Sequence, residues 1–180
     1  PGAGVGGPCL PINSYQFLNT ATRTNSKLSI IEQSREINEK MPDHVINLTL
    51  DSFKKCNKSI KDSNILILGI SYKADVKDIQ LSPAEIIINK LKDLGARIRI
   101  YDPYYKNNEI FGINVESNME DAIEKADASI IITAHKEFQN INPVIFTKMN
   151  TPILIDSRGI IDISSIRDTD LVFRGIGRGI

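Results

Sequence analysis

Several residue types that mark particular classes of protein are scarce in this sequence of 180 residues. It has no tryptophan, two cysteines and two histidines. Two cysteines, Cys9 and Cys56, are too few for a disulfide scaffold, so we expect a protein of the reducing cytoplasm. His44 and His135 have no other histidine or cysteine near them at ligand spacing, which argues against a zinc site.

Net charge and long hydrophobic segments are missing as well. The 22 basic and 22 acidic residues cancel, which gives no electrostatic reason to expect binding to nucleic acid or to an anionic membrane surface. No apolar run approaches the roughly 20 residues that span a bilayer. The glycine-rich start also lacks the basic segment of a signal peptide. We therefore expect neither nucleic acid nor a membrane as a partner.

Residues 63–180 have the pattern of an α/β domain with a parallel sheet. Two capping boxes, Ser82–Glu85 and Ser117–Glu120, predict helices that end at Gly95 and near Ala126. Between them lie apolar runs suited to buried strands: NILILG, RIRIYD, ASIIIT and PILIDS. This alternation of strand and helix predicts a Rossmann-like fold.

Residues 1–62 lack this alternation and carry apolar residues at helical spacing. Ile46, Leu50 and Phe53 stand on one helical face. Pro42 should end one helix near Lys40 and lie in the first turn of the next. We therefore predict a small helical region, divided from the α/β domain near residues 59–63. Its helices should cover about residues 15–23, 27–40 and 43–58.

The first residues, PGAGVGGPCLP, contain a glycine pattern that resembles a dinucleotide-binding turn. Gly2, Gly4 and Gly7 match G-x-G-x-x-G, but that turn needs a strand before it and a helix at its last glycine. Pro8 follows Gly7, so we interpret the segment as a pliant loop. Its glycines would let the backbone approach a ligand closely.

Cys9, at the end of this loop, has two interpretations. It is a nucleophile if its thiolate is stabilised, for instance by a helix that begins near Asn13. Otherwise it is a small buried apolar residue, as most isolated cysteines are. The closing glycines, Gly175, Gly177 and Gly179, are interpreted as turn formers because no helix follows them.

Blocks along nearly the whole chain resemble, in order, the C-terminal half of the UDP-glucose/GDP-mannose dehydrogenase family. The resemblance is greatest to the branch that acts on UDP-N-acetyl-D-mannosamine, and the family's N-terminal NAD-binding domain is absent. The blocks are Gly4–Pro11, Arg35–Pro42, Leu68–Lys73, Asp75, Asp78-Ile79, Ser82–Ala84, Tyr101–Pro103, Asp156–Arg158 and Gly175–Arg178.

The resemblance implies both a reaction and the residues that perform it. The family oxidises a sugar C6 alcohol to a carboxylate in two NAD-dependent steps, and Cys9 would hold the intermediate as a thiohemiacetal and then a thioester. Substrate contacts are implied for Gly4, Gly6, Gly7, Lys73 and Arg158, a cofactor contact for Gln80, and a homodimer interface for the helices of residues 14–58. Lys73 and Arg158 are otherwise solvated surface cations.

Two positions depart from the family pattern. Asn13 stands where many members have aspartate, and an amide can orient water but cannot accept a proton. The base is then elsewhere or is replaced by water, and Asn13 also suits a helix N-cap. Gln80 stands where many members have arginine, which weakens the expected contact with NAD. Both departures keep open a non-catalytic nucleotide-binding or dimerisation module.

Two further expectations concern ligands. This chain alone should bind a UDP-sugar without turning it over, because NAD would be bound mainly by the absent domain. The substrate implied is UDP-N-acetyl-D-mannosamine, with UDP-glucose, UDP-N-acetylglucosamine and UDP-N-acetylgalactosamine as alternatives.

Overall fold

The computed structural model describes residues 2–179. Its helices are α1 (Leu10–Arg23), α2 (Ser29–Lys55), α3 (Pro83–Asp93), α4 (Met119–Glu124) and α5 (Lys136–Gln139), with 3-10 turns at Pro143–Lys148 and Ile163–Ile166. Its strands are β1 (Asn64–Leu68), β2 (Arg97–Tyr101), β3 (Glu109–Ile110), β4 (Ile113–Asn114), β5 (Ala128–Ile131), β6 (Ile153–Asp156), β7 (Val172–Gly175) and β8 (Arg178–Gly179).

Six strands form one sheet in the order β2-β1-β5-β6-β7-β8, and the first five are parallel. The prediction of a Rossmann-like parallel sheet is therefore confirmed. From β1 the chain goes outward to β2 and then returns to β5 on the other side of β1. The connections after β1 and β5 therefore lead to opposite sides of the sheet, which makes the carboxyl edge at these two strands the switch point of its topology.

Helices cover both faces of the sheet, which is why its strands are apolar throughout. Ile65 and Ile67 pack on the face shared with α2 and α3, whereas Leu66 and Leu68 pack on the face shared with α4 and α5. All four side chains are fully buried. Successive side chains of a strand point to opposite faces, so a strand buried on both sides has no polar alternation.

The prediction that Pro42 separates two helices is wrong. Residues Ser29–Lys55 form one helix with Pro42 inside it. Proline there has no N–H to donate to the carbonyl of Asn38, which costs about 3 kcal/mol. The second half of the helix compensates, because Val45, Ile46 and Phe53 are buried against α3 and the sheet. Burial of several large apolar side chains outweighs one lost hydrogen bond.

The first helix also begins earlier than predicted, at Leu10 rather than near residue 15. Pro11 lies in its first turn, where a missing N–H does no harm. Cys9 therefore occupies the N-cap position, and the interpretation of Asn13 as the N-cap is wrong.

The closing glycines have different roles. Gly177 forms a turn with a φ of 71°, as predicted, whereas Gly175 and Gly179 lie in the paired strands β7 and β8. The turn returns the chain along β7 and brings Arg178 opposite Gly175.

Candidate functional site

Residues 2–9, here called the glycine loop, are fastened to two neighbouring parts of the fold. The N–H of Val5 donates to Oδ1 of Asn38 at 2.7 Å, and Nδ2 of Asn38 donates to the Val5 carbonyl at 3.3 Å. The N–H of Gly7 donates to the carbonyl of Gln80 at 2.8 Å. The loop is thus held against α2 and against the segment that leads into α3.

The glycines of this loop are required by packing. A Cβ on Gly6 would lie 2.2 Å from the carbonyl oxygen of Leu81, and one on Gly7 would lie 2.6 Å from the ring of Tyr72. Gly7 also has a φ of 87°, which favours glycine. A Cβ on Gly4 would make a less severe but still tight contact, 3.3 Å from the Cβ of Pro83. The expected pliant loop is therefore a packed one.

Cys9 and Asn13 occupy the start of α1, immediately after the glycine loop. Both side chains are exposed. The N–H of Asn13 donates to the carbonyl of Cys9 at 2.9 Å, so the two residues are one helical turn apart on the same side of α1. The unpaired N–H groups of a helix N-terminus attract negative charge. The geometry thus places an exposed thiol and an amide together at such an end.

Lys73 lies on the loop of residues 70–78 that follows β1, here called the lysine loop. The N–H of Tyr72 donates to the carbonyl of Asp78 at 3.0 Å, and Oγ1 of Thr133 donates to the carbonyl of Ser71 at 2.6 Å. The side chain of Lys73 is exposed to solvent. The lysine loop is therefore ordered by internal and neighbouring contacts while its cation remains free to meet a ligand.

A buried histidine also holds the lysine loop, a role that the sequence analysis did not predict. His135 and Asp102 are both fully buried, with Nε2 of His135 3.1 Å from Oδ2 of Asp102. Nδ1 of His135 accepts the N–H of Asp75 at 2.9 Å. The available signal was positional: Asp102 and His135 are polar residues close after two apolar strands that flank β1.

The hydrogen bonds to Asp102 determine its charge. Burial raises the pKa of this carboxyl, but hydrogen bonds from His135 and from the N–H groups of Ile70 and Tyr104 outweigh burial, so the pKa lies below its usual range. Asp102 is therefore an ionised acceptor at physiological pH.

Arg158 follows β6 on a turn that is organised by Asp156. Oδ1 of this fully buried carboxylate accepts the N–H groups of Arg158 and Gly159 at 2.9 and 2.7 Å. Oδ2 accepts the N–H of Ile161 and Nη2 of Arg178, both at 2.9 Å. The guanidinium of Arg158 lies against Gly2, where a Cβ would be 2.4 Å from Nη1. Four donors thus fix the turn that carries an exposed arginine.

The structure brings most of the predicted site residues to one edge of the sheet. Lys73 and Arg158 follow the carboxyl ends of two parallel strands, β1 and β6. The glycine loop contacts both segments, through Gly7 on Tyr72 and Gly2 on Arg158. Gln80 contributes its backbone carbonyl to this packing, and its side chain is exposed.

The described residues do not form a cradle for a dinucleotide at the glycine loop. The Cα faces of Gly6 and Gly7 are packed against Leu81 and Tyr72, and the Gly7 N–H is already bonded to Gln80. A pyrophosphate needs such glycine faces and N–H groups to be open. The loop therefore does not fit NAD.

Two features are missing from residues 2–179. No group of three or more histidine, cysteine, aspartate or glutamate side chains in this range could hold a metal ion. The helices in this range fall short of the length and hydrophobicity that crossing a membrane requires.

Two family models match the chain. Residues 66–163 match the UDP-binding domain of the UDP-glucose/GDP-mannose dehydrogenase family, and residues 1–40 match its central domain. The chain is 36% identical to a UDP-N-acetyl-D-mannosamine dehydrogenase of Pyrococcus horikoshii, over 99% of this chain and 40% of the relative. It is 30% identical to a UDP-glucose 6-dehydrogenase of Bacillus subtilis, over 98% of this chain and 39% of the relative.

Solved structures agree with these matches. A UDP-D-ManNAc dehydrogenase from Pyrococcus horikoshii superposes with a TM-score of 0.86 at 34% identity, covering 99% of this chain and 40% of that chain. An NDP-N-acetyl-D-galactosaminuronic acid dehydrogenase from Methanosarcina mazei gives a TM-score of 0.88 at 28% identity, covering 99% and 39%. The chain spans about 40% of the length of the curated relatives it matches. By sequence and by fold, it belongs to the UDP-glucose/GDP-mannose dehydrogenase family.

Proposed function

We propose that this chain is the cysteine-bearing, UDP-binding part of an NAD-dependent nucleotide-sugar 6-dehydrogenase. The observation that carries the proposal is the packing of the glycine loop against both Tyr72 and Arg158. This packing sets an exposed thiol, Cys9, at the same edge as two exposed cations, Lys73 and Arg158. A nucleotide sugar offers a diphosphate for such cations and an oxidisable carbon for the thiol.

Cys9 is the proposed nucleophile. When bound, NAD would supply the oxidising power for both oxidations as the hydride acceptor. The Cys9 sulfur adds to the C6 aldehyde carbon, and the aldehyde oxygen takes up a proton to give a thiohemiacetal. Loss of a hydride and the hydroxyl proton leaves a thioester. Water attacks the thioester carbon, the C–S bond breaks, and the carboxylate departs as the thiol is restored.

Asn13 and the two cations have supporting roles in this scheme. The amide of Asn13, one helical turn from Cys9, donates a hydrogen bond to the oxygen of the adduct, while water or another group accepts protons. Lys73 and Arg158 neutralise the diphosphate. Gly4 and Gly6 offer backbone groups to the substrate, and Gly7 contributes through its carbonyl because its N–H is bonded to Gln80. Gln80, whose uncharged side chain is exposed, would be the residue of this chain that contacts NAD.

The dinucleotide itself is assigned to the part of the protein outside this chain. The described residues do not form its cradle, and the matched relatives are about two and a half times as long, since the chain covers 40% of them. This chain alone is therefore expected to bind a UDP-sugar without reducing NAD. We infer UDP-N-acetyl-D-mannosamine as the substrate from the 36% identity to a dehydrogenase of that name. We infer the cytoplasm as the location because two cysteines are too few for a disulfide scaffold.

Replacing Lys73 with methionine in the full-length protein should weaken UDP binding by about 10- to 100-fold, the effect of losing one charge-assisted hydrogen bond. Isothermal titration with UDP measures it. Lys77→Met is the matched control, because Lys77 lies on the same loop with its Nζ 5.3 Å from the Tyr105 ring centroid, and it should leave the affinity within about twofold. Equal affinities of the Lys73→Met variant and the unmodified protein would contradict the proposed contact.

The same titration with the four candidate UDP-sugars shows which of them the protein binds most tightly. Labelling of the thiols distinguishes a dehydrogenase from a non-catalytic module. A dehydrogenase should show Cys9 labelled by iodoacetamide faster than Cys56, with protection by the UDP-sugar. The non-catalytic module, which Asn13 and Gln80 favour, predicts UDP binding with neither difference.

We also propose that residues 1–62 form a dimerisation region next to the UDP-binding domain of residues 63–180. Large apolar side chains are exposed along α1 and α2, including Phe17 at 61%, Ile30 at 84% and Ile37 at 61%. Apolar side chains exposed in such number on neighbouring helices are typical of an interface. Sedimentation velocity of the full-length protein should give the mass of two chains. The mass of one chain at micromolar concentration would rule the homodimer out.

A further inference from the structure

The imidazole of His135 bridges two segments that the sequence separates. Its Nδ1 accepts the N–H of Asp75 at 2.9 Å, so the proton of the ring lies on Nε2 and is donated to Asp102 at 3.1 Å. The rings of Tyr104 and Phe138 lie 5.1 and 5.5 Å from the imidazole, centroid to centroid. With no exposed surface, this ring is fixed in its position, its plane and its tautomer.

Two hydrogen bonds, one to Asp102 and one to His135, hold the backbone of the lysine loop on either side of Lys73. Oδ2 of Asp102 accepts the N–H of Ile70 at 2.8 Å, which fixes the start of the loop. His135 accepts the N–H of Asp75, which fixes the loop two residues beyond Lys73. The exposed lysine is therefore carried by a short span of backbone between two buried anchors.

Asp75 needs such an anchor because of its backbone conformation. Its φ of 58° lies in the left-handed region, where the Cβ of a residue other than glycine comes close to the following carbonyl oxygen. Oδ1 of Asp75 also accepts the N–H of Lys136 at 3.1 Å, next to His135 in the chain. Both the backbone and the side chain of Asp75 are thus bonded to the segment after β5, which opposes relaxation of the turn.

We propose that His135 is a positioning residue for Lys73. It keeps the lysine loop in its strained turn by accepting the Asp75 N–H, and thereby holds the Lys73 ammonium where it meets the diphosphate. The proposal rests on the proposed function in one respect, namely that Lys73 contacts UDP.

Two variants of His135 in the full-length protein separate positioning from packing. Asparagine places an amide oxygen near the position of Nδ1, so His135→Asn keeps an acceptor for Asp75. Glutamine places an amide nitrogen near Nε2, so His135→Gln keeps the donor to Asp102 and loses that acceptor. His135→Gln should weaken UDP binding on the order of tenfold, and His135→Asn by less than about threefold. Both should lower Tm similarly, since both lose the imidazole.

A second comparison tests whether the effect passes through Lys73. In the Lys73→Met background, His135→Gln should cause no further loss of UDP affinity. Equal losses for the two His135 variants, or an undiminished loss in that background, would overturn the positioning role. If Lys73→Met itself leaves UDP affinity unchanged, the proposed contact fails instead. Hydrogen exchange of residues 71–77 then tests the anchoring alone, and equal exchange in the two His135 variants would overturn it.

Nitrogen NMR of the unmodified protein tests the same geometry without any variant. The His135 ring should show a protonated Nε2 and an unprotonated Nδ1. A proton on Nδ1 would exclude acceptance of the Asp75 N–H and would overturn the proposal.

Discussion

Replacing Cys9 with serine in the full-length protein should lower kcat for oxidation of the UDP-sugar on the order of 10⁴-fold or more, with UDP affinity unchanged. Removal of a covalent nucleophile has effects of this size. A serine hydroxyl attacks a carbonyl only with help from a base, and Asn13, one helical turn away, cannot accept its proton. The rate of NADH formation and a titration with UDP measure the two quantities.

Cys56→Ser is the matched control for this variant. Cys56 is the other cysteine of the chain and lies half-buried at the C-terminal end of α2. The Cys56→Ser variant should therefore keep a kcat within about twofold of that of the unmodified protein, as substitutions away from a site do. A Cys9→Ser enzyme that keeps a tenth of the activity, or an equal loss in Cys56→Ser, would refute covalent catalysis by Cys9.

Replacing Asp156 with alanine should lower the free energy of unfolding by about 3–5 kcal/mol. The buried carboxylate accepts hydrogen bonds from three backbone N–H groups and from Arg178. Alanine leaves all three N–H groups without this acceptor, and that of Ile161 is in a buried hydrogen bond. The turn that carries Arg158 would also relax, so UDP affinity should fall together with stability.

Asp162→Ala provides the comparison for this variant. Asp162 accepts hydrogen bonds from the N–H and the hydroxyl of Ser164, both in an exposed turn, where water can replace it. The Asp162→Ala variant should therefore lose far less free energy of unfolding than Asp156→Ala. Urea unfolding of the two variants decides the point, and coincident midpoints would show that the network around Asp156 contributes little.

The parallel sheet could be predicted because its signals are local. Apolar runs, capping residues and Gly95 each act through the few residues beside them, and α3 begins after Ser82 as its capping box predicts. Pro42 shows the limit of this reasoning. Local propensity favours a break there, but burial of Val45, Ile46 and Phe53 against distant elements keeps α2 continuous. Tertiary packing overrides propensity where enough apolar surface is covered.

The residues of the candidate site likewise include some that local motifs predict and some that only the folded chain brings together. Cys9, Lys73 and Arg158 could be named from short motifs, because each motif is contiguous in the chain. The network of Asp75, Asp102 and His135 could not, because its members are 27 to 60 residues apart and meet only when β1, β2 and β5 align. A single histidine gives no local indication of the partner that it will meet.

Gly6 and Gly7 have a consequence for how the protein can be altered. Their Cα atoms abut Leu81 and Tyr72 with no space for a methyl group. This contact couples the position of the Cys9 thiol, which follows the glycine loop, to that of the Lys73 ammonium, which follows Tyr72. A substitution that reshapes the proposed sugar site on one side of this contact would therefore displace the other side. Libraries aimed at new nucleotide sugars should therefore vary positions 6, 7, 72 and 81 together.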